Sequence, residues 1–290
     1  MPEWPDLDVY RQQLQQRLVG QTVVAVAAPD PFLLRTVVPP LSQLVGRTVQ
    51  SVELLGKRLV FGFDGDLFAV LHLMVLGRLH WQSPIGKLAK TALWHLDVAP
   101  GRLWLTESGK KRKASLHVLQ GRAALAAHDR GGIDVFATDP AEFARVLRAA
   151  PRTVKRALCD PAVVAAIGNA YSDEILHAAQ LSPLQRTANL SDDELLRLWH
   201  KTREVLLRWR DRLQAEAAGG FPEHVTAFRP EMAVHGKFGK PCPVCAAPVQ
   251  RIVYADNECN YCARCQTGGR LLSDRALAQL LKDSWPKYLD

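Results

Sequence analysis

Residues 242–266 read CPVCAAPVQRIVYADNECNYCARCQ and contain two Cys-x-x-Cys pairs. The pairs, Cys242 with Cys245 and Cys262 with Cys265, are separated by sixteen residues. This spacing lets two tight turns deliver four thiolates in a tetrahedron, the arrangement typical of a closed zinc site. We therefore predict a C-terminal four-cysteine zinc finger that holds one structural Zn²⁺ and has no hydrolytic role. The alternative is a set of reduced cysteines without a metal.

Of the other two cysteines, Cys159 stands alone in the sequence, and Cys259 falls within the cysteine-rich segment. Cys259 lies close to the pairs and is interpreted as a packing residue, with replacement of one ligand as the alternative. Glu3 and Asp6 stand where a signal peptide would be positively charged, and no apolar run approaches the roughly 20 residues of a membrane span. We expect a cytoplasmic protein without a membrane segment, associated with the nucleoid if it is bacterial. In the reducing cytoplasm, clustered cysteines favour metal binding over disulfides.

Upstream of the finger, the chain changes from strand-like to helix-like patterns. Residues 5–20 and 192–214 repeat apolar residues at helical spacing, and Ser191 with Glu194 forms a capping box for the second of these helices. Between them, Gly131-Gly132 marks the change from strands to helices. The predicted strands are 22–26, 49–55, 59–63, 67–71, 93–98, 103–106 and 115–119. A sandwich or barrel is the expected result.

The length of 290 residues favours more than one domain. We predict an α+β multidomain protein with an N-terminal β-sandwich domain (1–125), a helical domain (133–220), a loop with the zinc finger (221–267) and a C-terminal extension (268–290). Leu277, Leu280 and Leu281 predict a short helix in the extension.

Composition narrows the class of partner. Apolar residues make up 48% and charged residues 23%, which is typical of a folded globular chain and excludes a collagen-like or wholly disordered protein. The net charge of +8 predicts an anionic partner, either nucleic acid or an acidic membrane surface.

The N-terminus, MPEWPD, carries a second chemical signal. Removal of Met1 would leave Pro2 with a free secondary amine, and an α-amine with a pKa near 8 is partly unprotonated at neutral pH. Such an amine can attack a sugar C1′ and form an iminium. The structural alternatives are a helix-start proline for Pro2 and a first-turn charge for Glu3.

Four motifs occur in register along the chain: Pro2-Glu3-x-Pro5, Gly56-Lys57 before a strand, IGNAYSDEIL at 167–176 and the paired cysteines followed by Gln266. In this order they resemble the formamidopyrimidine-DNA glycosylase and endonuclease VIII family, over almost the whole chain. The resemblance implies a β-sandwich, a helix-two-turn-helix domain and a zinc finger, with damaged double-stranded DNA in the cleft between the domains. It also implies a monomer.

By this resemblance, each matching residue has an expected role. Pro2 is the nucleophile, Glu3 the acid/base that assists sugar ring opening, and Lys57 a phosphate contact that assists catalysis. Asn169 is expected to bind a phosphate beside the lesion, with a helix cap as a compatible role. Lys155 is expected to be another lesion-side contact. The alternative for both lysines is an ordinary surface position.

Three departures from the family pattern affect DNA contact. Asn257 stands where the family carries an arginine in its finger. The turn His72-Leu-Met-Val-Leu-Gly77 has Met74 one place early, so either Met74 or Val75 is the wedge that enters the space left by the flipped base. The loop ESGKKRKAS, 107–115, keeps one arginine (Arg112) but lacks the family's phenylalanine wedge. The basic run 110–113, which includes Lys111, is interpreted as phosphate-binding, with a solvated turn as the alternative.

The leading functional prediction is a bifunctional glycosylase/AP lyase that excises damaged bases and nicks the abasic strand. The alternative is a non-catalytic or lesion-specialised DNA-damage binding paralogue. Tautomerase-like chemistry at an N-terminal proline is disfavoured by the cysteine module and the chain length. The preferred lesion, the opposite base and the choice of β or β,δ elimination stay open.

Overall fold

The computed structural model describes residues 1–109, 111–223, 225–226, 228–254, 257–273, 279–281 and 287–289. They form two compact units. Unit 1 comprises Met1–Arg130 and Trp209–Thr226, and unit 2 comprises Gly131–Arg208 and Ala227–Asp290. Residues 209–226 thus belong to unit 1, and the four predicted domain segments stay a prediction.

Unit 1 contains two four-stranded sheets with the strand orders β1-β6-β7-β5 and β2-β3-β4-β8. All of the pairings are antiparallel. The strands are β1 (Val23–Ala27), β2 (Val49–Leu55), β3 (Arg58–Phe63), β4 (Leu67–His72), β5 (Gly77–Gln82), β6 (Trp94–Val98), β7 (Gly101–Glu107) and β8 (Ser115–Gln120).

One apolar core lies against both sheets. Leu103 and Leu105 of β7 are fully buried and alternate with more exposed residues, as expected for strands with one face in a core. Phe61 of β3 contacts Trp94 of β6, with 6.1 Å between the ring centroids. These contacts confirm the predicted sandwich. Strand β5, which pairs with β7 along its whole length, is not among the strands predicted from the sequence.

The first helix of unit 1, α1, spans Trp4–Leu18. Its apolar residues at helical spacing pack into the sandwich core, and four of them are fully buried: Leu7, Tyr10, Leu14 and Leu18. A short helix, α2 (Arg122–Ala126), follows β8. The predicted first helix is therefore confirmed, and its core contacts fix the position of the residues that precede it.

Unit 2 is mainly helical. Its helices are α3 (Pro140–Ala149), α4 (Val154–Cys159), α5 (Asn169–Ala178), the first part of α6 (Asp192–Glu216) and α7 (Ala263–Thr267). The predicted capping box of α6 is present, because Glu194 N–H donates to Ser191 Oγ at 3.1 Å and Ser191 N–H donates to Glu194 Oε2 at 2.9 Å.

The cysteine-rich part of unit 2 is built on an antiparallel hairpin of β9 (Gln250–Tyr254) and β10 (Asn257–Tyr261). In the C-terminal extension, Leu280 and Leu281 belong to a helical stretch and are 77% and 36% exposed. Leu277, which the sequence analysis places on the same helix, lies outside the described residues.

Candidate active site and metal centre

The chain end is held by the first turn of α1. Pro2 is buried and Glu3 is only 3% exposed. Glu3 occupies the N-cap position; its N–H donates to Asp6 Oδ2 at 3.2 Å, and its carbonyl accepts from Leu7 N–H at 3.0 Å. Pro5, inside the first turn, has the fixed φ that a helix start favours. The residues predicted to carry the chemistry therefore sit on a rigid element.

The surroundings of the N-terminal amine favour its uncharged form. Burial lowers the pKa of the Met1 α-amino group below its usual 8.0, and the positive charges of Arg78 and Lys57 lower it further, against the opposing effect of the Glu3 and Asp6 carboxylates. Lys57 is half-buried in the β2–β3 turn. Pro2, the predicted nucleophile, is the next residue in this setting.

Sequence reasoning missed Arg78, the larger of the two positive influences on this amine. It lies in β5, and its guanidinium donates to the carbonyls of Val75 and Gly77 at 3.1 and 2.6 Å. An arginine in an alternating strand carries no sequence signal of its own. Its relation to the chain end depends on the pairing of β5 with β7, which the sequence pattern did not reveal.

The turn from β4 to β5 contains the predicted wedge. Met74 has a left-handed backbone (φ +54°) and is half-buried, and its N–H donates to His72 Nδ1 at 2.9 Å. The next two residues, Val75 and Leu76, are 49% and 40% exposed. The apolar tip of this turn is therefore formed by Val75 and Leu76, and Met74 lies below it.

Gly77 closes this turn and cannot be replaced without moving the backbone. Its N–H donates to the Leu73 carbonyl at 2.9 Å, and a Cβ added to Gly77 would lie 2.2 Å from that oxygen. His72 at the start of the turn stays neutral near pH 7, because burial and the charges of Arg58 and Lys57 lower the pKa of its ring to about 4. A neutral ring leaves Nδ1 free to accept the Met74 hydrogen bond.

The loop between β7 and β8 is fastened by Glu107, which is 8% exposed. Its carboxylate accepts from Lys113 N–H at 2.9 and 3.0 Å and from Ala114 N–H at 3.0 Å. Lys111 and Arg112 are exposed, and Arg112 pairs with Asp30 at 2.8 Å. Lys110, part of the predicted basic run, lies outside the described residues. Glu107 thus holds the backbone at the end of the loop, next to the exposed Lys111 and Arg112.

Lys155 is buried in unit 2 and is not an ordinary surface lysine. The residue is 9% exposed, and its ammonium donates to Asp173 Oδ1 at 2.6 Å, Ser172 Oγ at 2.9 Å and the Asn169 carbonyl at 3.1 Å. Burial opposes the charged form, but the Asp173 carboxylate more than offsets it and raises the pKa of Lys155. All three N–H donors of this lysine are used inside unit 2. The expected lesion-side contact stays a prediction that would require these bonds to rearrange.

Asn169 is the first residue of α5, as the sequence analysis expects for a helix start. Its side-chain Nδ2 donates to the Glu258 carbonyl of β10 at 2.9 Å. The amide therefore connects α5 to the hairpin. Asn257, at the start of that same strand, is exposed.

Two carboxylates on α5 have roles that the sequence analysis left unassigned. Glu174 accepts from the N–H groups of Ala233, Val234 and His235 at 2.8, 2.9 and 3.0 Å. Asp173 accepts from Lys155 and lies 2.9 Å from His235 Nδ1. Both are almost fully buried. Both belong to the IGNAYSDEIL motif at 167–176, which marked the segment but not the partners of its two carboxylates.

The four paired cysteines form a candidate metal centre. The Sγ atoms of Cys242, Cys245, Cys262 and Cys265 all lie within 4.8 Å of one another. Such a set of sulfur donors can bind a metal ion, and four thiolates suit a closed tetrahedral Zn²⁺ site. Cys259 stands outside the cluster and is 1% exposed; burial, followed by the charge of Asp173, raises the pKa of its thiol.

His177 is a neighbour of this centre that sequence reasoning did not identify. Its Nε2 lies 3.3 Å from Cys242 Sγ, and its ring belongs to α5. Gln266 fixes the second cysteine pair, because its Oε1 accepts from Cys262 N–H at 2.8 Å while its Nε2 donates to the Leu181 carbonyl at 2.8 Å. The candidate metal centre is thus joined to the helices of unit 2.

Comparison with known families places this architecture in the DNA glycosylases of base excision repair. The model of the formamidopyrimidine-DNA glycosylase N-terminal domain matches residues 1–146, and the model of that enzyme's H2TH domain matches residues 134–210. The chain belongs to the formamidopyrimidine-DNA glycosylase family. This confirms the resemblance seen in the sequence.

Individual relatives cover most of the chain. Formamidopyrimidine-DNA glycosylase of Thermus thermophilus is 31% identical, over 93% of this chain and 100% of its own. A formamidopyrimidine-DNA glycosylase-like protein of Mycobacterium tuberculosis is 36% identical over 52% of this chain and 94% of its own. Among solved structures, the Lactococcus lactis Fpg in complex with an abasic site containing DNA has a TM-score of 0.80 at 25% identity, covering 91% of this chain and 99% of that one.

No helix in the described part of the chain has the length and apolar character that crossing a membrane requires.

Proposed function

We propose that this protein is a bifunctional DNA glycosylase and AP lyase that uses Pro2 as its nucleophile. The observation that carries the proposal is the chain end itself, where Pro2 and Glu3 are buried at the capped start of α1. Lys57 and Arg78 lie close enough to the chain end to lower the pKa of the Met1 amine, and the same positive charges would favour an uncharged Pro2 amine once Met1 is removed.

The reaction begins after Met1 is removed. The lone pair of the Pro2 nitrogen attacks C1′ of the damaged nucleotide, the glycosidic bond breaks with its electrons leaving on the base, and the base takes up a proton. The nitrogen gives up its own proton. Glu3 then protonates O4′, which opens the sugar ring and leaves an iminium between C1′ and the nitrogen. Loss of a C2′ proton expels the 3′ phosphate, and water hydrolyses the iminium to restore the amine.

Damaged double-stranded DNA is the proposed substrate, because a base within the stack must be extruded before C1′ can be attacked. Lys57 in unit 1 would hold a phosphate of the lesion strand, while the exposed tip of Val75 and Leu76 would enter the space that the extruded base leaves. The solved relative bound to an abasic site containing DNA supports this choice.

We also propose that Cys242, Cys245, Cys262 and Cys265 hold one Zn²⁺. This ion would supply folding energy to the hairpin of unit 2, and a closed set of four thiolates leaves it no open position for substrate.

Borohydride trapping tests the function. If Pro2 forms an iminium, borohydride reduces it and leaves a stable covalent complex between the protein and abasic-site DNA. Protein that mass measurement shows to begin at Pro2 should be trapped, and protein that retains Met1 should not, because its Pro2 nitrogen lies in an amide bond. Pro2→Gly should be trapped more weakly through a primary amine.

Glu3→Gln separates catalysis from binding. The substitution keeps the size of the side chain and removes the proton-transfer group, so excision should fall by about 10²–10⁴-fold while DNA binding persists. Glu53→Gln, at an exposed carboxylate of β2, is the matched control and should leave excision unchanged. Absence of any trapped species with protein that begins at Pro2 would reject the lyase mechanism and favour a DNA-damage binding protein.

A further inference from the structure

Phe32 is an aromatic side chain that the fold leaves in solvent. It is 79% exposed, in a turn between β1 and β2 of unit 1. The next two residues are well packed by comparison, because Leu33 is 3% exposed and Leu34 belongs to the partly buried rim of the core. The burial of its neighbours therefore directs Phe32 outward.

The turn that carries Phe32 is closed by its own hydrogen bonds. Asp30 Oδ1 accepts from Phe32 N–H at 2.9 Å, and the Asp30 carbonyl accepts from Leu33 N–H at 3.2 Å. These bonds fix the backbone on both sides of the aromatic residue. Its outward position costs little additional ordering when a partner binds.

The following residues are paired along β8. Leu116 N–H donates to the Leu33 carbonyl, and Arg35 N–H donates to the Leu116 carbonyl, each at 2.8 Å. Thr36 Oγ1 then accepts from Val118 N–H at 2.8 Å. Because β8 follows the basic loop 107–114, this pairing places the Phe32 turn beside that loop.

Asp30 joins the turn directly to the basic loop. Its second carboxylate oxygen accepts from Arg112 Nη1 at 2.8 Å. Lys111, Lys113 and Arg35 are exposed in the same two segments. An exposed aromatic ring in a segment that also carries exposed cations is complementary to nucleic acid, which offers base faces for stacking and phosphates for charge pairing.

The start of the basic loop lies close to the wedge turn. A Cβ added to Gly109 would lie 3.2 Å from Leu76 Cδ1. Gly109 of the loop thus lies near the wedge turn, and Arg112 of the loop contacts the Phe32 turn. It contains no aromatic residue of its own between 107 and 115.

We propose that Phe32 inserts into duplex DNA and stacks on the base opposite the extruded nucleotide. This inference rests on the proposed function, since only an enzyme that extrudes a nucleotide leaves an unpaired base on the other strand. The wedge turn occupies the vacated position of the lesion strand, and Phe32 reaches the complementary strand. Asp30 is a positioning residue that holds Phe32 and Arg112 together.

The test uses the full-length protein and a duplex that carries a tetrahydrofuran abasic-site analogue, with the analogue strand alone as the second probe. Phe32→Ala should weaken binding to the duplex by about 5- to 150-fold, the range of one base–aromatic stack, and should change binding to the single strand less than about twofold. Phe32→Trp should restore duplex binding to within about threefold of the wild type.

Val37→Ala is the matched control, because Val37 is an apolar residue of the same segment with 85% exposure. Its duplex binding should stay within about twofold of the wild type. A 2-aminopurine placed opposite the analogue should be brighter with Phe32→Ala than with the wild type, because a stacked base is quenched. Thermal unfolding of both variants should match the wild type, since neither side chain is packed.

The outcomes separate this inference from the proposed function. Wild-type protein that is trapped by borohydride, together with unchanged duplex binding by Phe32→Ala, would overturn the role of Phe32 alone. Equal losses on the duplex and on the single strand would also overturn it, as would a loss in Val37→Ala of the same size. Absence of trapping with a duplex-specific loss in Phe32→Ala would instead reject the Pro2 lyase mechanism and keep Phe32 as a DNA-stacking residue.

Discussion

Replacement of Lys155 by methionine distinguishes a DNA-contacting lysine from a lysine that holds unit 2 together. The Lys155 side chain is 11% exposed and its ion-pair partner Asp173 is 0% exposed, at 2.6 Å. Methionine keeps most of the apolar stem and removes the charge, leaving the buried Asp173 carboxylate without Lys155 and with His235 Nδ1 at 2.9 Å. Loss of one partner of a buried pair costs about 3–5 kcal/mol. For a unit of this size, the midpoint of thermal unfolding should fall by roughly 10–20 °C.

Thermal unfolding and the salt dependence of DNA affinity are measured together. Lys111→Met is the control, because Lys111 is an exposed lysine and its loss should leave the unfolding temperature unchanged. Asp173→Asn should also destabilise unit 2. The double variant Lys155→Met/Asp173→Asn should recover part of the loss, since removing both charges of a buried pair is often close to neutral.

A contrary result would be clear. If Lys155→Met unfolds within about 2 °C of the wild type and lowers the slope of log affinity against log salt by about 0.9, the lysine charge faces a DNA phosphate and not the Asp173 carboxylate. The buried-pair account would then be wrong, and the role expected from the family resemblance would stand.

Three further perturbations test other parts of the molecule. Metal analysis of the purified protein should find one zinc per chain. The double variant Cys262→Ser/Cys265→Ser should lose the metal and bind DNA more weakly, while the unfolding of unit 1 stays unchanged. Full zinc occupancy in that variant would reject the assignment. Lys111→Ala/Lys113→Ala should lower the salt slope of DNA affinity by about one per contact, and an unchanged slope would show that the run is a solvated turn. The pKa of His72 is lowered to about 4 in the folded state, so between about pH 6.5 and 4 only the unfolded state binds a proton at this ring. The free energy of unfolding should therefore decrease by at most about 3 kcal/mol as the pH falls through that window. His72→Asn, which keeps a hydrogen-bond acceptor, should flatten that part of the denaturation profile, and an equally steep profile would contradict the assignment.

The sequence predicted those features whose signal is local. The capping box of α6 depends only on Ser191 and Glu194, and both of its hydrogen bonds are present. The Cys-x-x-Cys pairs likewise act through short turns, so their convergence follows from spacing alone. Helix α1 follows from its apolar spacing in the same way.

Features that depend on tertiary pairing were missed or incompletely assigned. Strand β5 alternates Leu79 and Trp81 with Arg78 and His80, a short pattern that becomes a strand through its pairing with β7. The burial of Lys155 could not be predicted from the sequence, because it depends on the fold that places Asp173 of α5 beside it. Periodicity indicates which face of a helix is apolar, but it does not indicate which polar side chains are paired inside.

The wedge turn shows how backbone conformation resolves an ambiguity that residue types leave open. Methionine is the longer apolar side chain, which favours Met74 as the inserting residue on composition alone. Met74, however, has a left-handed φ of +54°, a conformation that places its N–H against His72 Nδ1 and its side chain in a half-buried position. The tight approach of Gly77 to the Leu73 carbonyl then turns the chain so that Val75 and Leu76 are exposed. We therefore expect the insertion role proposed for this turn to fall to its exposed tip, Val75 and Leu76, and not to Met74.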